Sequence, residues 1–162
     1  MSCNQYGFSK LQGERVLASL MPKACIVRTS WVYGPSGKNF ISSLMKLFKT
    51  QEIVEACFDQ VGKPTYCMDL ARALYELKDA SGVFHFAGSL QGSRYEIACA
   101  LFSYMQQEGI EMKCQKVVSV SSDKFITKAR RPKYSVLDTL KFEQKMGRKP
   151  LSYVDTFKEL FS

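Results

Sequence analysis

Tyr6 and Lys10 stand four residues apart in Tyr6-Gly-Phe-Ser-Lys10-Leu-Gln-Gly-Glu14, a spacing that puts both side chains on one face of a helix. An ammonium one turn from a phenol favours the phenolate and makes the phenol a better acid, so such a pair can pass a proton to a carbonyl oxygen at neutral pH. That is chemistry suited to ketone reduction. Eight tyrosines in a lysine-rich chain of 162 residues give roughly one such spacing by chance, so the pair takes its meaning from its surroundings. Other chemistry-bearing residues are sparse. The six cysteines (Cys3, Cys25, Cys57, Cys67, Cys99, Cys114) lie far apart without a Cys-x-x-Cys pair, and His85 is the single histidine. They indicate neither a zinc site nor a disulfide framework and read as buried thiols. His85 lies within an apolar run and reads as a strand-face residue rather than a base.

The elements that must position these groups alternate between helix and strand. Leu11, Val16, Leu17 and Leu20 fall at helical spacing, which predicts a helix over 6–20 with Pro22 as its stop. Residues 24–29 form a continuous apolar run, expected as a strand buried on both faces of a parallel sheet. Pockets in such sheets open at strand C-termini, which puts Thr29, Ser30 and Trp31 at the mouth of a site. After the Gly34-Pro-Ser-Gly37 loop, an amphipathic helix is expected over 40–50 with Asn39 as its N-cap. A short strand over 53–58 and a turn-rich stretch from Asp59 to Thr65 follow. A helix over 68–78 should turn Leu70, Ala73, Leu74 and Leu77 inward, and 82–87 reads as another strand. Ser93 with Glu96 is a capping box that opens a helix to Gln107, closed at Gly109. Its aromatic residues Tyr95, Phe102 and Tyr104 read as packing. Residues 116–121 alternate like a strand and lead to the basic loop Lys128-Ala-Arg-Arg-Pro132. Asp138 should cap a helix to Met146 ended by Gly147, and Ser152 with Asp155 should open a last helix to Phe161.

The length suits one domain, and 46% hydrophobic with 23% charged residues reads as a soluble globular chain. No basic start precedes an apolar stretch and no run approaches a membrane span, so no membrane partner and a cytoplasmic location are expected. The formal charge of +8 is scattered, with one dense cluster from Lys124 to Lys133, and no nucleic-acid partner is expected from it. Charge alone does not choose between a solvated basic face and a polyanionic small ligand such as a nucleotide diphosphate sugar.

Four segments stand in a telling order: Tyr6 to Glu14, Arg28-Thr-Ser-Trp-Val-Tyr-Gly34, Asp59-Gln-Val-Gly-Lys-Pro-Thr65, and Arg131-Pro-Lys-Tyr-Ser135-Val-Leu-Asp138. Together they resemble the dTDP-4-dehydrorhamnose reductases, which are extended short-chain dehydrogenases, from Tyr6 to the C-terminus. The resemblance implies an α/β fold: the C-terminal part of a Rossmann-like sheet with a small α/β substrate-binding lobe. It implies residues 1–37 as a remnant of the dinucleotide-binding sheet and 38–162 as mostly substrate lobe. It implies NADPH- or NADH-dependent reduction of the 4-keto group of a dTDP-linked deoxysugar. In that family the tyrosine protonates the keto oxygen and the lysine binds the nicotinamide ribose, roles that fall to Tyr6 and Lys10. Thr29 and Ser30 would meet the cofactor through their backbone, Trp31 would pack on the sugar, and Arg131 would hold the diphosphate.

A complete enzyme of this kind has a glycine-rich turn between strand and helix that cradles the cofactor pyrophosphate. The present sequence contains none, nor the serine or threonine that completes the family's catalytic set. The expectation is therefore a single truncated domain that binds a dinucleotide poorly alone and is completed by a separate N-terminal half or by a homo-oligomer. The alternative is a non-catalytic, reductase-like binding subunit, similar to the regulatory subunit of methionine adenosyltransferase.

Overall fold

Helix α1 (Gln5–Leu20) leads into strand β1 (Cys25–Arg28) in the computed structural model, which describes residues 5–125 and 131–161. Cys3 and the Lys128-Ala-Arg130 part of the basic loop lie outside the described residues. β1 pairs in parallel with β6 (Gly82–His85), Cys25 opposite Gly82 and Arg28 opposite His85. The alternation of a strand sends Cys25 and Val27 to one face, where they pack on Ala73, Leu77, Phe84, Phe86 and Phe142. Those residues come from β6, the segment just after it, the helix α3 (Cys67–Glu76) with its C-cap Leu77, and the helix α5 (Leu140–Met146).

The opposite face of β1 is a correction to the sequence reading. β1 is half-buried along three residues and exposed at Arg28, because α1 buries no residue of its own. Tyr6, Val16 and Leu20 are 69%, 56% and 76% exposed. The tie between helix and strand is polar: Arg28 Nε and Nη2 donate to Glu14 Oε1 and Oε2 at 2.9 and 2.6 Å.

The second core gathers α2 (Phe40–Thr50), α4 (Arg94–Gln107) and the parallel pair β3 (Ile53–Cys57) and β8 (Lys116–Val120). α2 starts where Asn39 accepts from the Ser42 N–H and Ser42 accepts from the Asn39 N–H, and it buries Ile41, Leu44 and Phe48. α4 starts on the expected reciprocal pair of Ser93 and Glu96, at 3.1 and 2.6 Å. Its aromatic residues pack as expected: Phe102 meets Phe48 edge-on, and Tyr104 meets Phe157 and Phe161. Between the two cores run ladders of two residues each, too short to leave a periodicity in the sequence. β2 (Val32–Tyr33) pairs in parallel with β5 (Thr65–Tyr66), and β4 (Val61–Gly62) pairs antiparallel with β7 (Gly92–Ser93).

Three further expectations are corrected. Leu74 is 49% exposed, since the buried stripe of α3 runs through Asp69 and Ala73 to Leu77 beyond its end. The cap of α5 is Thr139, whose hydroxyl donates to Glu143, while the Asp138 carboxylate accepts from the Leu140 N–H. The last helix is only a 3-10 turn at Phe157–Leu160. Ser152 and Asp155 do bond reciprocally, but the amides that follow bond three residues back, Phe157 to the Val154 carbonyl and Glu159 to the Thr156 carbonyl. The chain end is instead held by burial of Tyr153, Phe157 and Leu160.

A buried polar clamp locks α3 to the chain after α5. Arg148 Nη1 donates to Asp69 Oδ1 at 2.9 Å, its Nε to both Glu76 oxygens at 3.1 and 3.0 Å, and Asp69 Oδ2 accepts from the Leu151 N–H at 2.8 Å. The guanidinium lies against Phe86 and Phe142. The cysteines among the described residues are all free, Cys57 and Cys114 buried and Cys25, Cys67 and Cys99 half-buried.

Candidate functional site

The segments singled out in the sequence meet in space. Trp31 leaves β1 with φ at 49°, the left-handed region that a bulky residue enters only when its surroundings hold it there. Its indole lies on Gly62 so closely that a Cβ there would stand 2.6 Å from the ring. Thr65 fastens the same turn from below: its N–H donates to the Trp31 carbonyl at 3.2 Å and its hydroxyl to the Ser30 carbonyl at 2.7 Å. The Ser30 hydroxyl donates to the Lys63 carbonyl and the Thr29 hydroxyl to Thr65 Oγ1. Both hydroxyl protons are thus used inside the protein, which leaves the backbone N–H groups as what Thr29 and Ser30 can donate to a ligand.

The fourth segment joins through a short parallel bridge between Val61 and Tyr134. The Val61 N–H donates to the Lys133 carbonyl at 2.7 Å, and the Ser135 N–H donates back to the Val61 carbonyl at 2.9 Å. Asp59 anchors the arrangement, accepting from the Ser122 N–H and hydroxyl at 2.9 and 2.8 Å and facing Lys133 at 3.7 Å. The Ser122 hydroxyl, followed by its N–H and the Lys133 charge, holds the Asp59 carboxyl below the usual carboxylate range.

Two cavities open beside this crossing. One, of about 520 Å³, has Trp31, Tyr33, Lys38, Asn39 and Pro64 in its wall. The other, of about 490 Å³, runs between α2 and β3 past Leu44, Leu47, Cys57 and Phe125. Phe40, Ser43, Arg94 and Arg131 border both. Arg94 is a residue that sequence reading missed. Its guanidinium carbon is 4.5 Å from the ring centres of both Trp31 and Phe40, and its Nε donates to Gln60 Oε1 at 2.9 Å. Burial, with the charge of Arg131 adding to it, pulls its pKa down to about 10, so it is still a cation at neutral pH. A signal was present in the chain: an arginine right after the capping Ser93 opposes the helix dipole, a placement that needs another reason. Cys57, beside it, is pushed up by burial and by Asp59, which makes it a poor nucleophile.

Tyr6 and Lys10 stand together on α1, with the ammonium 5.4 Å from the phenol ring centre. They border neither cavity. Their link to the crossing is the Glu14–Arg28 pair, whose hydrogen bonds keep the Glu14 carboxyl low and the Arg28 guanidinium high. His85, at 3.5 Å from Arg28 Nη1, sits on that strand face. No group of metal-binding side chains occurs among the described residues, and no described helix is long and apolar enough to cross a membrane.

The family model described as the RmlD substrate binding domain matches residues 2–162. The chain belongs to this family. It is 33% identical to a dTDP-4-dehydrorhamnose reductase of Aggregatibacter actinomycetemcomitans over 96% of its own length and 55% of that protein's. It is 36% identical to a spore coat polysaccharide biosynthesis protein of Bacillus subtilis, over 95% of this chain and 52% of that one. The crystal structure of the Bacillus anthracis dTDP-4-dehydrorhamnose reductase in complex with NADP superposes with a TM-score of 0.87 at 34% identity, covering 98% of this chain and 55% of that one. The RmlD-type chain thus spans about half the length of the curated relatives it matches. Its α/β architecture, part of a Rossmann-like fold, is also that of the dTDP-glucose 4,6-dehydratase of Bacillus anthracis, at a TM-score of 0.69 and 14% identity.

Proposed function

We propose that this chain is the substrate-binding part of a dTDP-4-dehydrorhamnose reductase and reduces a 4-keto nucleotide sugar when joined to a dinucleotide-binding half. The observation that carries the reading is the crossing of Trp31, Gly62 and the Arg131 segment beside two adjoining cavities. An indole and a guanidinium at one cavity mouth suit a sugar ring and a diphosphate. Trp31 packs on the sugar and Arg131 grips the diphosphate. Residues 1–37 carry the cofactor side and 38–162 mostly the substrate side.

A relative of known structure is bound to NADP, and this chain's residues fit one end of such a cofactor. Tyr6 is open on an α1 face that buries nothing, with Lys10 beside it, so Lys10 would hold the nicotinamide ribose, and Thr29 and Ser30 would meet the cofactor through their backbone. The reduced nicotinamide supplies hydride when bound. Tyr6 hands its phenolic proton to the keto oxygen as negative charge builds there, and the Lys10 ammonium favours that transfer by stabilising the phenolate left behind. The unburied apolar side chains of α1 and the second edge of β1 are where the other half docks.

The test is reconstitution with the dinucleotide-binding half of a relative, NADPH and a dTDP-linked 4-keto sugar. Tyr6→Phe keeps the ring and removes the proton, so turnover should fall by about 10²- to 10⁴-fold, the worth of a positioned general acid, with unfolding unchanged. Full activity in Tyr6→Phe would sink the catalytic assignment and leave a binding subunit as the better description.

A further inference from the structure

Among the described residues two guanidiniums lie against pairs of aromatic rings, and their surroundings differ. Arg148 rests on Phe86 and Phe142 with Asp69 and Glu76 as counter-charges. Arg94 rests between Trp31 and Phe40 and has no ion pair among the described residues. Its only side-chain hydrogen bond there goes from Nε to the neutral Gln60. Of the carboxylates that line the cavity between α2 and β3, Glu55 pairs with Lys124 and Asp123 accepts from the Ser121 hydroxyl. Arg131, the neighbour whose charge bears on Arg94, has no ion pair among the described residues either.

Holding one cation half-buried beside another is unfavourable unless an anion joins them. The stacking on two rings and the fixed Nε aim the remaining N–H groups of Arg94 along one edge, a planar fork of the kind that matches phosphate oxygens. Arg94 and Arg131 also border both cavities, so an anion between them would carry one substituent into each.

Resting on the nucleotide-sugar reading above, we propose that Arg94 is a second diphosphate-binding residue: with Arg131 it seats the pyrophosphate bridge of the substrate at the junction of the two cavities, the sugar directed past Trp31 and the nucleoside between α2 and β3. The same guanidinium, stacked on both rings, positions Trp31 and Phe40, the walls that separate the two ends of the ligand. Since Trp31 is the single tryptophan of the chain, its fluorescence reports occupancy of this seat directly.

The experiment is titration of the 162-residue chain with thymidine diphosphate, read by Trp31 fluorescence and by calorimetry, for the unaltered protein, Arg94→Gln, Arg94→Lys and Arg131→Gln. Loss of charge-assisted hydrogen bonds should weaken binding about 10- to 100-fold in Arg94→Gln and in Arg131→Gln. Arg94→Lys, which keeps the charge and loses the fork, should recover part of that affinity and guards against a folding defect in the glutamine variant. Unchanged affinity in both Arg94 variants, with Arg131→Gln impaired, would overturn the role of Arg94 and leave the nucleotide-sugar reading standing. Absence of binding to the unaltered chain at millimolar ligand would overturn both.

Discussion

Replacing Asp69 with alanine cuts one arm of the clamp that holds α3 to the chain after α5, and the structure sets the size of the effect. Two interactions disappear: the hydrogen bond from the Leu151 N–H at 2.8 Å and the charged contact from Arg148 Nη1 at 2.9 Å. Both end on a charged carboxylate, and a hydrogen bond to a charged group contributes roughly 1.5–3 kcal/mol. Breaking a buried ion pair outright costs about 3–5 kcal/mol because a charge is stranded. Arg148 is not stranded here. Its Nε keeps both Glu76 oxygens, and its Nη2 stays 2.9 Å from Glu76 Oε2 as an ion pair without hydrogen-bond alignment. The expected loss is therefore near the lower end, about 3 kcal/mol. For a chain of this size, in which 1 kcal/mol moves Tm by roughly 2–4 °C, the midpoint should fall by about 6–12 °C. Thermal unfolding followed by circular dichroism measures it, with Asp69→Asn as a step that keeps the shape and one acceptor oxygen, and so one of the two bonds. A drop under about 2 °C in Asp69→Ala would show that the clamp contributes little beyond what the aromatic contacts of Arg148 already supply.

Gly62→Ala places a Cβ 2.6 Å from the Trp31 ring, so the indole must move; Trp31 emission should shift and thymidine diphosphate affinity should fall about 10-fold or more, while an unaltered emission spectrum would contradict the tight packing. Arg28→Ala removes the polar tie of α1, and since that helix buries nothing, its amides should exchange with solvent markedly faster while those of α4 stay protected. Acidification should act in the same direction. The Glu14 carboxyl is held low by Arg28, so its contribution is present above the unfolded carboxylate pKa and is lost as pH falls through the lower folded value; α1 exchange protection that is flat down to pH 3 would contradict this, the unfolded reference being about 4.3.

The long elements were legible because each carries its own signals in contiguous sequence. The bounds of α2, with Asn39 as its cap, and the opening of α4 on Ser93 and Glu96 follow from local hydrogen bonds that any chain with those residues forms. The family segments were legible too, as types and order, including Trp31 and Arg131. Other features depended on contacts between residues far apart. Leu74 has the spacing of a core residue, yet the core ends before reaching it; Ser152 and Asp155 have the spacing of a cap, yet the amides after them bond three residues back and close only a 3-10 turn.

The two-residue ladders β2, β4, β5 and β7 have no pattern of their own and exist only because their partners arrive from 30 or so residues away. The candidate site has the same origin. Sequence determined that this chain holds an indole, a basic segment and a glycine in the order the family uses. Tertiary structure decided that the indole lies on the glycine, that the basic segment bridges to Val61, and that Arg94, whose position gave it no motif, lies between two rings where both cavities meet. A guanidinium acquires its role from what surrounds it in space, and the sequence around Arg94 specifies only the start of a helix.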